Sequence, residues 1–276
     1  MITSIQIAET CTNRMGKRLA AEKKVLQEEL KTLPKGKLYL RERGASISFM
    51  KKINGKQIGI SGNPEEVIGL ARRRYIEEWL LSFDAYDSND NDALSEIIEK
   101  LKNTVDDYES AGINIENVLW NEEQQTWNAN RSSEKPTRRS DLKFPSKGGI
   151  KVRSKSEQMI ADLLEELHIP YRYEPLLLIN GTAYYPDFAI MLPDNSIVIL
   201  EHFGRMDDEG YIADMLNRIK AYNKVGILIG RNLFMSFEND TSDERLAKEV
   251  LFQVLAAPTI PVEELRDMVD RACHQN

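Results

Sequence analysis

A chain of 276 residues, 41% of them hydrophobic, has room for one large or two modest domains, each able to bury a core. The net charge of −7 argues against a nucleic-acid coat, and two cysteines near opposite ends, Cys11 and Cys273, carry neither zinc-ligand nor disulfide-framework spacing. No apolar run reaches transmembrane length and the start is not leader-like, so the expectation is a cytoplasmic protein with no membrane partner.

In chain order, residues 12–32 are rich in Lys, Glu, Ala and Leu and read as a helix stopped by Pro34-Lys35-Gly36. Residues 38–43, 46–52 and 57–61 read as a three-stranded meander with Asn54-Gly55 as one tight turn. Asn63-Pro64-Glu65-Glu66 then starts a helix through Arg72-Arg73-Arg74 to about residue 82, and residues 93–110 form an acidic helix-like stretch. Together they predict a basic N-terminal α+β module over residues 1–120. Its order of strands and helix weakly resembles the small arm-binding domains of some phage integrases, which lay a sheet into DNA. A structural or oligomerisation module is the alternative, and a homodimer stays open.

Residues 121–149 are polar and basic with few apolar positions and read as a linker or a loop ordered by substrate. Ser154-Lys155-Ser156-Glu157 opens a helix with Ile160, Leu163, Leu164 and Leu167 at helical spacing. Ser154 and Glu157 fit a capping box, yet Glu157 also falls on the inward stripe, and a carboxylate facing a core needs a partner. Residues 171–179 read as a strand turned at Asn180-Gly181. Residues 183–192 and 197–203 flank Pro193-Asp194-Asn195-Ser196 and read as a second hairpin. A helix over 208–225 stopped by Gly226, a strand over 233–237, and helices over 243–255 and 262–272 complete the chain.

The second hairpin carries the chemistry. With a three-residue loop, Leu192 faces Ser196 and Asp187 falls opposite Glu201, which puts both side chains on one face. Opposed carboxylates repel by up to about 1 kcal/mol on a sheet, so the pair calls for a cation, and hard oxygen ligands suit Mg²⁺ or Mn²⁺. A loop one residue different would separate them. His202, next along the strand, is expected on the opposite face, as a core histidine or a general base brought near by Gly204. His168 and His274 carry no ligand spacing.

A helix bearing Glu157, a hairpin bearing Tyr185-Pro186-Asp187-Phe188 and Glu201-His202-Phe203-Gly204, then a helix and a strand resemble the PD-(D/E)XK nuclease superfamily. The resemblance spans roughly residues 150–240 and is nearest to bacterial and phage proteins with the same Tyr-Pro-Asp-Phe and Glu-His-Phe-Gly pattern. It implies an α/β protein whose nuclease-like domain, residues 150–276, has a restriction-endonuclease-like αβββαβ core. It also implies a metal-dependent DNA nuclease, with Glu157, Asp187 and Glu201 as metal ligands and the His202 carbonyl as a further one. The family lysine two residues after the second acid is Phe203 here. Arg218, four residues before Tyr222 in a spacing that resembles the Gln-x-x-x-Tyr element of some relatives, is the candidate replacement cation, while Lys220 faces elsewhere. The catalytic candidates are therefore Glu157, Asp187, Glu201, His202 and Arg218. The other expectation, since Phe203 breaks the signature, is a non-cutting DNA-binding or protein-interaction module of the same fold.

Charge is unevenly placed. Residues 14–74 hold 16 Lys and Arg against 6 Glu, and residues 131–155 hold nine against two acids. Two basic blocks of this kind can steer a polyanion, and salt-sensitive DNA binding is the expectation. The candidate contacts are Arg72, Arg73, Arg74, Arg138, Arg139, Lys151, Arg153, Lys155 and Tyr222.

Overall fold

The computed structural model describes residues 4–44 and 46–256, so the helix expected over 262–272, Cys273 and His274 lie outside the described residues. The chain divides into two compact units, residues 19–125 and residues 126–276, the latter taking in residues 1–18. Among the described residues no helix is long and apolar enough to cross a membrane.

α1 (Ser4–Thr32) enters the first unit at Leu19 and leads there into an antiparallel sheet of β1 (Lys37–Arg43), β2 (Ser46–Ile53) and β3 (Lys56–Gly59), then α2 (Pro64–Asp87), α3 (Asn91–Ser110) and the short α4 (Glu116–Leu119). The expected tight turn is present: Ile53 pairs with Lys56, and Asn54 and Gly55 take φ of 49° and 77°, a backbone that Asn and Gly adopt at least cost. Asn63 caps α2 by accepting the Glu66 N–H, and Pro64 supplies the first-turn φ. One face of the sheet presents Leu38, Leu40 and Phe49 to Val67, Leu70 and Ala71 of α2, which with Tyr108 and Val118 form the core.

The second unit begins within α5 (Glu122–Ala129) and continues through a 3₁₀ turn (Arg139–Asp141) and the ribbon of β4 (Phe144–Pro145) with β5 (Lys151–Val152). The stretch read as a linker is thus structured: Trp127 joins a core cluster, Asn128 and Gln124 are buried, and the Tyr173 N–H donates to the Arg131 carbonyl. Few apolar residues are needed there because polar side chains carry the anchoring.

Then follow α6 (Lys155–Glu166), β6 (Tyr171–Tyr173), the ribbon β7 (Leu177–Ile179) with β8 (Thr182–Tyr184), β9 (Phe188–Met191), β10 (Ile197–Phe203), α7 (Glu209–Lys224), β11 (Leu233–Phe237) and α8 (Glu244–Leu255). The main sheet runs β11-β10-β9-β6, with β6, β9 and β10 each antiparallel to the next and β11 parallel to β10 across the α7 connection. Residues 171–179, expected as one strand, are two. Glu174 at φ 42° and Pro175, which has no N–H for a ladder, end β6 and redirect the chain into a separate ribbon.

Strand alternation divides the core. Val198 and Leu200 face α6 and α8, with Tyr171, Tyr173, Phe188 and Leu164. Ile197 and Ile199 face the other way, with Tyr222, Ile227 and Leu233. Both faces of β10 are covered, which is why its residues are all buried and why its pattern is a continuous apolar run. A carboxylate in the middle of such a strand must find partners within the protein.

Candidate functional site

The loop from Leu192 to Ser196 closes as expected: the Leu192 N–H donates to the Ser196 carbonyl at 2.8 Å and Asn195 takes φ 62°. Met191 pairs with Ile197 and Phe188 with Leu200. The next step of that register sets Asp187, just before β9, against Glu201 within β10. Pro186 stops the strand there, so Asp187 sits at the sheet end, half-buried, and its Oδ2 accepts the His202 backbone N–H at 2.7 Å.

Glu201 is 1% exposed. Its Oε2 accepts from Arg218 Nη1 at 2.6 Å and its Oε1 from the Tyr222 hydroxyl at 2.7 Å. Both donors come from α7, four residues apart and therefore on one stripe. Arg218 therefore points toward the sheet and meets Glu201, while Lys220 is exposed. Tyr222, expected to touch nucleic acid, is fully buried, with its ring edge-on to Tyr184 at 5.8 Å, so it orders Glu201 instead.

Electrostatics follow from this packing. Burial, then the neighbouring carboxylates of Glu201 and Glu157, push the Asp187 carboxyl well above the ordinary range; Arg218 and the His202 N–H pull against them without prevailing. Burial opposes the charge on Arg218, but the carboxylates of Glu201 and Asp187 outweigh it and hold the guanidinium charged. Burial and the Glu201 charge push the Tyr222 hydroxyl upward, so it remains a donor.

Glu157 is placed differently from the expectation that it shares an ion. Ser154 caps α6 by accepting the Glu157 N–H at 3.1 Å, and the Glu157 carboxylate turns back to accept the Arg153 N–H at 2.9 Å and the Tyr173 hydroxyl at 2.6 Å. It belongs to the α6 side of the sheet, whereas Glu201 faces α7. Among the described residues no three His, Cys, Asp or Glu side chains gather as ligands of one ion. The acids that would hold a hard divalent cation are the pair opposed by the register, Asp187 and Glu201. Two carboxylates with the remaining positions left to water and phosphate oxygens suit Mg²⁺ better than a closed protein cage does.

His202 takes the opposite face, as its strand position demands. Its Nδ1 lies 3.1 Å from Ser236 Oγ and its Nε2 3.4 Å from Glu238 Oε2, so its side chain is not a base at this site, and its contribution there is the backbone N–H. Phe203, in place of the family lysine, is 2% exposed, edge-on to Tyr211 and tilted against Phe237, both at 6.2 Å.

The expected nucleic-acid contacts divide. Arg72 is buried, forks onto both Glu29 carboxylate oxygens at 2.8 Å, and donates to the Val118 and Leu119 carbonyls. Arg73 donates to the Leu30, Leu33 and Pro34 carbonyls at and beyond the end of α1. Arg74 reaches Glu78 and Thr104. Arg72 and Arg73 thus spend their guanidinium donors on internal acceptors, whereas the Arg74 side chain is 41% exposed. Arg153 is committed internally as well, clamped on Glu174 at 2.7 and 2.9 Å and on the Thr137 and Arg138 carbonyls. Arg138, Arg139, Lys151 and Lys155 are exposed.

Sequence reasoning missed Tyr173 and Glu174. The signal for Tyr173 was available in the alternation of Tyr171-Arg172-Tyr173, which puts both tyrosines on the α6 face. Nothing local marked Glu174, whose partners Ser133, Lys135 and Arg153 come from at least 21 residues away.

Comparison with protein-family models, characterised proteins and solved structures finds no match. The functional reading rests on the residues alone.

Proposed function

We propose that the second unit is a divalent-metal-dependent nuclease that hydrolyses phosphodiester bonds in DNA, built on a restriction-endonuclease-like core. The order α6, β6, β9, β10, α7, β11, three antiparallel strands followed by a helix and a parallel strand, supports the αβββαβ reading once the β7–β8 ribbon is treated as an insertion. The observation that carries the function is the register that opposes Asp187 to Glu201 at the sheet end.

In this reading Asp187 and Glu201 hold Mg²⁺ or Mn²⁺, which when bound lowers the pKa of a water and polarises a phosphate oxygen. The chain's own residues do the rest. Tyr222 fixes the Glu201 carboxylate through one oxygen, and the His202 N–H fixes Asp187. Arg218, its side chain 31% exposed, shares its charge between Glu201 and an incoming phosphate; a guanidinium stays protonated, so it is a clamp and not a base. Glu157, bonded to Tyr173, stabilises the α6 start and adds to the negative potential felt by Asp187. The exposed cations Arg138, Arg139, Lys151 and Lys155 supply sequence-independent attraction for the DNA backbone.

One observation favours a second reading. Glu201 already has a donor on each oxygen and Phe203 is packed where a lysine would stand, so the fold can hold its acids without an ion, as a non-cutting DNA-binding or interaction module would. Incubation with supercoiled plasmid and Mg²⁺ or Mn²⁺ decides: nicking that EDTA abolishes and that Asp187→Ala and Glu201→Ala lose supports the nuclease, and binding without any metal-dependent nicking supports the second reading.

A further inference from the structure

In the first unit β1 is an edge strand, paired with β2 alone. Phe49 of β2 accepts the Ile60 N–H through its carbonyl and donates its own N–H to Ser61 Oγ, so its backbone is turned toward β3 and away from Leu40, its cross-strand partner. Backbone direction alternates along an antiparallel strand. Leu40 and, two residues back, Leu38 therefore turn their N–H and C=O outward, away from β2. Among the described residues nothing bonds to these four groups. An extended chain laid beside β1 satisfies all of them.

The space for such a chain is present. A cleft of about 580 Å³ runs between β1 and one stripe of α2, where Arg74, Glu78 and Leu81 line it, with Lys100 and Asp107 of α3 beyond. Consecutive β1 residues through Leu40 border it, those of both sheet faces alike, so it opens along the edge of the strand and not over one face.

The two sides of that edge differ. Leu38 and Leu40 belong to the α2 side, where Leu81 is 50% exposed and Glu77 and Asp107, both exposed, line the same cleft. Lys37, Tyr39 and Arg41 alternate onto the other side, and neither cation has an ion-pair partner among the described residues. Glu78, by contrast, is held by Arg74 and Lys100, each at 3.2 Å. An added antiparallel strand sets its side chains directly opposite those of β1. Acids four residues apart then meet Lys37 and Arg41, and a β-branched residue between them packs on Tyr39. The intervening side chains point to Leu38, Leu40 and Leu81, where apolar groups fit and where Glu77 and Asp107 repel an acid. A second copy of the chain fits worse, because pairing two β1 strands about Tyr39 sets Lys37 opposite Arg41.

We propose that the edge of β1 is a docking site for an extended acidic peptide of a partner protein, added as a fourth antiparallel strand with acids opposite Lys37 and Arg41 and apolar side chains toward Leu81. The site is independent of the acidic pair in the other unit.

The test is fluorescence anisotropy of the full chain with the labelled peptide Gly-Glu-Val-Thr-Val-Glu-Gly. Saturable one-to-one binding is expected, and the isomer Gly-Val-Glu-Thr-Glu-Val-Gly, with its acids on the helix side, is expected to bind about tenfold more weakly. Methylating the two valine nitrogens, which face β1, removes the donors and abolishes binding, whereas methylating the threonine nitrogen, which faces away, preserves it. Lys37→Glu with Arg41→Glu weakens binding by about tenfold and creates binding of the peptide carrying lysine in place of both glutamates. Leu81→Ala weakens binding, and Lys24→Glu, exposed in the same unit but away from the cleft, does not. Circular dichroism checks the fold of each variant, and the peptide series carries the test if the charge-reversed variant does not fold. No binding by the wild type or equal binding of the two isomers overturns the proposal. Binding that survives methylation of both valines overturns it too, since the site is then a cation patch that any polyanion satisfies. A dimer in sedimentation that the peptide dissociates gives the edge to a second copy instead.

Discussion

Glu201 shows how much one buried carboxylate constrains its surroundings. With a donor on each oxygen it is satisfied at neutral pH, and removal of either donor leaves a buried acceptor short of a partner, at a cost of about 1–3 kcal/mol. Tyr222→Phe is therefore expected to lower the melting temperature of the metal-free protein, and Arg218→Ala to do so as well while removing the phosphate clamp. If Arg218 faces the scissile phosphate, its loss lowers kcat by roughly 10² or more with metal affinity little changed, and Lys220→Ala is silent. Equal, small effects of the two substitutions on nicking would argue against the clamp. Asp187 behaves in the opposite sense to a salt-bridged acid. Its folded pKa is raised, so the folded state holds its proton more tightly than the unfolded chain, and stability falls as pH rises from the ordinary Asp range through the folded pKa. Asp187→Asn is expected to flatten that fall, and Mg²⁺ to raise the wild-type melting temperature increasingly with pH but not that of Asp187→Asn. Differential scanning fluorimetry across pH with Mg²⁺ or EDTA reads both, and an equal Mg²⁺ shift in the two proteins would place the ion elsewhere.

At the scale of elements, the end of β6 is held by charge. Glu174, 1% exposed and at positive φ, receives Arg153, Ser133 and Lys135 and so ties residues 131–138 and the start of α6 to the sheet. Burial works against its charge, but these donors prevail and its pKa is lowered. Its contribution is present above the unfolded carboxylate pKa and is lost as pH falls through the folded value, so Glu174→Gln is expected to be less stable at neutral pH and to converge on the wild type in acid. A melting curve that stays parallel to the wild type down to low pH would refute this. The same segment marks the limit of what the sequence shows. Elements with their own punctuation were legible: the Asn54-Gly55 turn, the Ser154 cap, the loop that sets Asp187 against Glu201, and the strand over residues 233–237. Glu174 and Pro175 splitting a continuous apolar run was not, because the partners that hold the break are remote in sequence. The Arg218–Glu201 contact was legible since helical spacing and strand alternation both pointed at one face. The burial of Arg72 and Arg73 was not, since a basic triplet reads the same whether its acceptors are phosphates or the carbonyls at a neighbouring helix end.

Across the whole molecule, a net charge of −7 repels a polyanion, so any DNA binding must come from local surfaces that the acidic remainder does not cancel within a Debye length, about 10 Å at 0.1 M salt. The structure separates cations by role. Arg72 and Arg73 brace the interior of the first unit and Arg153 that of the second, whereas Arg138, Arg139, Lys151 and Lys155 are exposed on the second. The two sets should fail in different ways. Arg72→Ala leaves Glu29 and two carbonyls without their donor and is expected to cost about 3 kcal/mol of stability, with the salt dependence of DNA binding unchanged for the protein that remains folded. Replacing Arg138, Arg139, Lys151 and Lys155 by alanine is expected to leave the melting temperature within a few degrees and to flatten the salt slope by up to about one for each phosphate no longer neutralised. Denaturant melts and an anisotropy salt series on the two variants decide the matter. A salt slope that moves with Arg72 and not with the exposed set would return the triplet to the DNA and take the second unit's exposed cations away from it.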